Sequence, residues 1–268
     1  GEEVEAALSV LASLTDWYDA EHALTLGAAL RRLLQESPDQ ESAVVEALLE
    51  GTDGQPAALQ VRLFAALGGI AKHPALMTRI AEAQIDDPAS AALLDSSTNA
   101  AISRHLRSLV AHRDPELVRK VITYLAQTQE GEETVDLLAE MLAHRSSRVR
   151  LQAHRLLRRH ASRERYLRAT VTLLTDANPE IVRRAIRALT YGGHVEAAKQ
   201  IVSLLQHKDK NVRQAAHRGL LVLGDEAISP LRRALKRERP DKRDAIEAVL
   251  VEIERGATGE CCSESTGS

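Results

Sequence analysis

Residues 178–192 read NPEIVRRAIRALTYG, and residues 209–224 read DKNVRQAAHRGLLVLG. Each stretch has a capping residue at its start, then a Val-Arg pair, then apolar or small residues three and six positions after the arginine. Arginines in this setting recur at intervals of 30 to 33 residues, as Arg119, Arg150, Arg183, Arg213 and Arg243. A fixed period of this length indicates a tandem repeat architecture.

The positions three and six residues after each arginine (+3 and +6) lie on one face of a helix. All five copies place apolar or small residues there: Ile122 and Leu125, Ala153 and Leu156, Ile186 and Leu189, Ala216 and Gly219, Ile246 and Val249. An apolar residue eight or nine positions upstream closes a preceding amphipathic segment in four copies: Val110, Leu142, Leu174 and Leu205. Each repeat is therefore predicted to be a helical hairpin whose second helix buries the +3 and +6 face.

These repeats resemble the HEAT-repeat family, in which an Asp-x-x-Val-Arg-x-x-Ala-x-x-Ala-Leu helix follows a Leu-Leu helix. Two copies depart from the pattern, since Ser146 replaces the aspartate and no valine precedes Arg243. The resemblance is clear over about residues 100–255. It implies an all-α fold, a right-handed α-solenoid of about eight antiparallel helical hairpins. It also implies that the repeated arginines are structural and link neighbouring repeats.

We expect a single HEAT-like solenoid over residues 1–255, with irregular acidic repeats in 1–99 and regular basic repeats in 100–255. Between residues 74 and 98 the pattern weakens, which predicts a distorted repeat. Residues 256–268 are rich in Gly, Ser, Thr and Glu and are expected to form a disordered tail. The tail's adjacent Cys261 and Cys262 imply no disulfide framework, and their role is open. The chain begins with Gly1 and not Met, which fits a segment of a longer polypeptide.

The net charge of -3 conceals a strong asymmetry along the chain. Up to Asn99 there are 5 basic and 16 acidic residues, and from Ala100 onward there are 30 and 22. Positive charge is densest from Arg145 to Arg187, with 12 arginines and 3 acidic residues. This asymmetry favours an anionic partner for the second part. Ordinary solvated helix surface is the alternative interpretation.

Outward positions on the second helices are predicted at one, four, five and eight residues after each arginine (+1, +4, +5 and +8). The family resemblance implies that these helices line a concave surface. The predicted binding residues are Lys120, Tyr124, Arg155, Arg158, Arg184, Arg187, Tyr191, Gln214, His217 and Arg218. Arginine and tyrosine together suit bidentate recognition of carboxylate or phosphate and stacking. Asp244 and Glu247 end the basic stripe.

Catalytic motifs are lacking in the sequence, which contains no Gly-x-Ser-x-Gly, no phosphate-binding Gly-x-x-x-x-Gly-Lys and no Cys-x-x-Cys. The resemblance implies that an iron-dependent hydroxylase of this type would carry repeated His-Glu pairs, and the sequence has none. Trp17, the only tryptophan, is interpreted as a packing residue of the acidic part. We therefore predict that the chain is not an enzyme and that it has no cofactor and no metal site.

These observations predict a non-catalytic protein-binding scaffold or regulatory domain whose basic concave surface binds an acidic protein partner. The alternative is nucleic-acid backbone binding by the same surface, although a pI near 6.4 disfavours a nucleic-acid module. The sequence contains no run of 18 apolar residues and no basic-then-apolar start, so we predict no membrane insertion and a cytoplasmic location.

Overall fold

The computed structural model describes residues 28–32, 34–36, 41–54, 56–67, 73–94, 96–129, 131–237, 239–240 and 243–260. Trp17, Cys261 and Cys262 lie outside these residues. Regular structure within the described ranges consists of α-helices and short 3-10 helices, without a strand. The predicted all-α solenoid is confirmed. The chain divides into two compact units, Gly1–Gln129 and Glu130–Ser268.

The first unit contains five helices with defined bounds. They are α1 (Glu41–Gly51), α2 (Ala57–Leu67), α3 (Pro74–Asp86), α4 (Ser96–Leu109) and α5 (Pro115–Thr128). Residues 28–32 and 34–36 are helical as well. The described core of this unit is mainly aliphatic, and it includes Phe64, which is buried together with Leu48, Ile80 and Leu106.

The distortion predicted between residues 74 and 98 is present. In place of a second α-helix, a 3-10 helix spans Pro88–Leu93. The Asn99 amide nitrogen donates to the carbonyl oxygens of Ala91 at 2.9 Å and Leu94 at 3.2 Å. Its amide oxygen accepts a bond from the buried Gln84 amide at 3.2 Å. A polar network therefore holds the segment where regular repeats use apolar contacts.

The second unit contains four helical hairpins. Their first helices are α6 (Glu132–Glu140), α8 (Arg163–Thr170), α10 (Ala198–Ser203) and α12 (Ile228–Arg237). Their second helices are α7 (Ser147–His160), α9 (Pro179–Tyr191), α11 (Lys210–Leu223) and α13 (Asp244–Glu260). The sequence predicted that the tail begins at residue 256, whereas α13 continues to Glu260.

Side chains in the turns fix where the second helices begin. The Asn178 side chain accepts the Glu180 amide hydrogen of α9 at 2.9 Å, and Pro179 occupies the first turn. Asp209 accepts the Asn211 amide hydrogen of α11 at 2.8 Å. Such caps satisfy amides that have no partner inside the helix. Ser146, the residue that departs from the family pattern, makes no side-chain cap bond at α7.

The predicted buried face of the second helices is confirmed. The +3 and +6 positions are buried in all five copies, namely Ile122, Leu125, Ala153, Leu156, Ile186, Leu189, Ala216, Gly219, Ile246 and Val249. Helices α9 and α11 are in close contact at Gly219. A Cβ atom there would lie 2.9 Å from the Cγ2 methyls of both Ile186 and Thr190. Glycine is therefore required for this contact.

Gly219→Ala is expected to lower the free energy of unfolding by about 1 kcal/mol, because the clash with two stiff β-branched side chains outweighs the better helix propensity of alanine. Gly256→Ala is the matched control, since nothing lies within 4 Å of a Cβ atom at this helical position. The control is expected to be neutral or slightly stabilising. Thermal unfolding of the two variants checks this, and an equal shift in both would contradict the assigned contact.

The repeat arginines make different bonds, depending on the acceptor that the following repeat offers. Arg150 forms a bidentate ion pair with Asp176 of the next hairpin, at 2.6 Å and 2.7 Å, and also donates to the His144 carbonyl oxygen at 2.8 Å. His207 occupies the position of Asp176 one repeat later. Arg183 accordingly pairs with Glu180 of its own helix.

Arg213 makes a third pattern of bonds. It donates to the carbonyl oxygens of His207 at 2.8 Å and Lys208 at 3.0 Å, both in its own turn. The predicted link between neighbouring repeats is thus correct for Arg150. It is wrong for Arg183, which pairs within its own helix. The bonds that Arg213 makes to described residues lie in its own turn.

Arg150→Ala is expected to lower the free energy of unfolding by about 2–4 kcal/mol, because it leaves the buried Asp176 carboxylate without its cation. Arg183→Ala is the comparison and is expected to cost no more than about 0.5 kcal/mol, since its ion pair is partly exposed. Urea denaturation of both variants measures the difference. Equal losses would show that the Arg150 pair does not stabilise the junction between hairpins.

Candidate protein-binding surface

The second unit contains eight of the predicted binding residues, all on three consecutive second helices. They are Arg155 and Arg158 on α7, Arg184, Arg187 and Tyr191 on α9, and Gln214, His217 and Arg218 on α11. Seven of these side chains are exposed and His217 is half-buried. We call these eight residues the basic surface.

Tyr124 does not belong to an exposed surface, contrary to the prediction. It is 7% exposed, and its hydroxyl lies 3.5 Å from the buried Gln84 side-chain oxygen. Position +4 after Arg150 is also predicted to face outward. This prediction is wrong as well, because the residue there, His154, is 9% exposed. Positions +4 and +5 lie about 50° either side of the centre of the outward face, given 3.6 residues per turn. Neighbouring elements can cover side chains at +4 and +5, whereas side chains at +1 and +8 lie nearer the centre of the outward face.

Lys120 is exposed as predicted but lies in the first unit. Its ammonium nitrogen is 3.4 Å from a carboxylate oxygen of Asp86, and both side chains are largely exposed. An exposed pair of this kind contributes little to stability. Lys120 is therefore not a member of the basic surface of the second unit.

Four arginines of the basic surface, Arg155, Arg158, Arg187 and Arg218, form no ion pair with any residue in the part of the chain that the structure describes. The remaining charged members are partly neutralised. Arg184 lies 2.9 Å from Glu180 of its own helix, and His217 lies 3.3 Å from Glu252 of α13. The four arginines therefore carry positive charge that no described residue compensates through an ion pair.

A buried His–Tyr pair lies beneath the basic surface. The Nε2 atom of His154 on α7 is 3.0 Å from the hydroxyl of Tyr166 on α8, and the ring centroids are 5.1 Å apart. Burial, together with the smaller effect of the positive charges of Arg184 and Arg158, lowers the pKa of His154 to about 4. His154 is therefore neutral at pH 7. The effect of two arginines from different helices on one ring also shows that their charges converge on the same region.

Histidines in the turns between hairpin helices act as hydrogen-bond acceptors. The Nδ1 atoms of His144 and His207 each accept a backbone amide hydrogen two residues later, at 3.0 Å. An accepting Nδ1 requires a neutral ring. Burial lowers the pKa of His144, in agreement with this role.

Metal ligands are not grouped in the described part of the chain, where no three His, Cys, Asp or Glu side chains are arranged to hold an ion. No helix in the described part of the chain combines the length and the apolar character needed to cross a membrane.

Acid is expected to destabilise the chain through His154. Its pKa is lower in the folded chain than in the unfolded one, so the unfolded state binds more protons between pH 6.5 and about 4. This contribution to stability is complete above pH 6.5 and is lost as the pH falls. Between pH 7 and pH 4 the wild type should lose about 3 kcal/mol more than His154→Gln. Urea denaturation at both pH values measures this, and parallel losses would contradict it.

Comparison with known proteins finds a family match within the second unit. Residues 167–250 match the family model described as HEAT repeats. A search of curated proteins found no match. Among solved structures, the chain is similar to Cex1p, with 12% identity over 98% of this chain and 54% of that one, and a TM-score of 0.45. It is also similar to human deoxyhypusine hydroxylase, with 17% identity over 95% and 96% of the two chains and a TM-score of 0.34. The chain thus spans about half the length of Cex1p.

Proposed function

We propose that this chain, a HEAT-repeat protein, is a non-catalytic scaffold or regulatory domain whose basic surface binds an acidic protein partner. HEAT repeats form helical scaffolds that usually mediate binding. We propose in addition which surface of this chain binds and that the partner is acidic. We also propose that residues 1–255 form one solenoid in the cytoplasm and that the basic surface lies on its concave side.

The uncompensated charge of Arg155, Arg158, Arg187 and Arg218 is the observation that carries the proposal. Arginine presents a planar fork of donors that matches a carboxylate. Helices whose apolar faces are buried hold the backbone positions of the four arginines, so less freedom is lost when a partner binds. A concentration of one sign of charge also accelerates encounter with a partner of the opposite sign.

Nucleic-acid backbone binding by the same basic surface is the second candidate. Unpaired arginines would serve phosphates as well as carboxylates, and Tyr191, which is 73% exposed, offers a stacking surface. The charge of the whole chain favours a protein partner instead, because its pI is near 6.4 and nucleic-acid modules are usually basic. The net negative charge of residues 1–99 would also repel a polyanion. Affinity capture on the full chain, with and without nuclease treatment, distinguishes the two. Loss of the captured partner after nuclease treatment would favour nucleic acid.

The triple change Arg155→Glu, Arg184→Glu, Arg187→Glu is expected to abolish binding of the captured partner and to leave the thermal midpoint nearly unchanged. All three side chains are exposed, so the core is unaffected, while the potential of the surface reverses. The readouts are partner retention and thermal unfolding.

The matched control for this test is Arg233→Glu, Lys236→Glu, Arg237→Glu. It makes the same change of charge on the exposed face of α12, a first helix of the same unit. The control is expected to retain the partner. The proposal is wrong if the control loses the partner as completely as the test variant does, or if the test variant binds normally.

A further inference from the structure

Exposed apolar side chains are concentrated next to the basic surface. Among the described side chains, the large hydrophobics most exposed to solvent are Tyr191 at 73%, Val222 at 46%, Val251 at 42% and Val195 at 36%. Three of them lie eight or nine residues after a repeat arginine on consecutive second helices. We call Tyr191, Val222 and Val251 the apolar row.

The apolar row runs alongside two of the uncompensated arginines. Arg187 precedes Tyr191 by four residues on α9, and Arg218 precedes Val222 by four residues on α11. A spacing of four places both members of each pair on the same face of their helix. The two pairs differ by one position in the repeat, since Arg187 and Tyr191 follow Arg183 by four and eight residues, whereas Arg218 and Val222 follow Arg213 by five and nine.

Helices α9 and α11 are in contact near the two pairs, at a position with no room for a side chain on Gly219. Gly219 follows Arg218 directly and touches Thr190, the neighbour of Tyr191. The two Arg-apolar pairs are therefore adjacent on neighbouring helices. Together they form a surface with a charged side and an apolar side.

We infer that the partner presents an amphipathic α-helix that crosses α9 and α11, with carboxylates toward Arg187 and Arg218 and apolar side chains on the apolar row. The inference rests on the proposed function and specifies its partner. Charge complementarity to the arginines identifies the acidic side of the partner helix, and the exposed apolar row identifies its apolar side.

The spacing of the second helices explains why the partner segment is helical. Packed helices lie about 8–10 Å apart. Seven residues of an α-helix advance about 10.5 Å and return to the same face. An extended segment covers that distance in about three residues, and side chains three apart in a strand point to opposite faces. A helix with an apolar residue at every seventh position can therefore contact the apolar row repeatedly, and an extended chain cannot.

The charge of α13 sets a limit to the acidic part of the partner helix. Glu247 is exposed on α13 at the position that Arg187 occupies on α9, four residues after the repeat arginine. Val251 continues the apolar row there. The carboxylates of the partner therefore face α9 and α11, whereas its contact with α13 is apolar.

The test uses the full chain and a labelled helical peptide of about three heptads, built from Glu and Ala with Leu at every seventh position. A second peptide has Ser in place of each Leu. Fluorescence anisotropy is expected to show the Leu peptide binding about tenfold more tightly than the Ser peptide. Tyr191→Ser with Val222→Ser should remove this difference and leave the binding of the Ser peptide unchanged.

Two further variants separate the apolar contribution from the charge. Val195→Ser changes an exposed valine outside the apolar row and is expected to bind both peptides as the wild type does. Arg187→Glu with Arg218→Glu is expected to weaken binding of both peptides.

The possible outcomes distinguish the inference from the proposed function. If the Leu and Ser peptides bind equally, or if Tyr191→Ser with Val222→Ser leaves Leu-peptide binding unchanged, the inference is wrong while the charge-reversal result for the proposed function still holds. If the double arginine change affects neither peptide, both fail. Tighter binding of a single-stranded oligonucleotide than of the Leu peptide, abolished by Tyr191→Ser, would also overturn the inference and favour base stacking.

Discussion

The contact between successive second helices is the constraint on which the rest of each unit depends, because a hairpin alone cannot bury its apolar face. The +3 and +6 positions supply this contact, and their size sets how closely the helices approach. At Gly219 the absence of a side chain brings α11 against Ile186 and Thr190. The same close approach places the outer faces of α9 and α11 side by side. Packing on one side of these helices thus determines the arrangement of side chains on the other.

The fold also separates stabilising arginines from arginines that are available for binding. Arg150 and Arg155 lie on the same helix, five residues apart. The Arg150 side chain is 13% exposed and neutralises a carboxylate of the next hairpin. Arg155 is exposed and forms no ion pair with a described residue. Because the cores of the hairpins are aliphatic and carry the stability, the charge of the exposed arginines can serve recognition.

Sequence periodicity was sufficient for the helical hairpins and for the buried face, because +3 and +6 are set by the geometry of one helix. It was insufficient for Tyr124 and His154, whose cover comes from other elements. Gln84 lies 40 residues before Tyr124, and Tyr166 follows His154 on another helix. The bonds of the repeat arginines were likewise unpredictable from one repeat, since Asp176 in the following turn decides that Arg150 makes an interrepeat ion pair. The exposure of a side chain at the edge of the outward helix face depends on neighbouring elements. The sequence pattern of a single repeat does not contain that information.

Arginine modification tests the central claim, that the uncompensated arginines contact the partner, most directly. Phenylglyoxal reacts with accessible guanidinium groups, and mass spectrometry reports the extent of reaction at each site with and without the captured partner. The account predicts that the partner protects Arg155, Arg158, Arg187 and Arg218 and leaves the reaction at Arg233 and Arg237 of α12 unchanged. Protection confined to α12, or no protection at the four arginines in the presence of saturating partner, would contradict the claim.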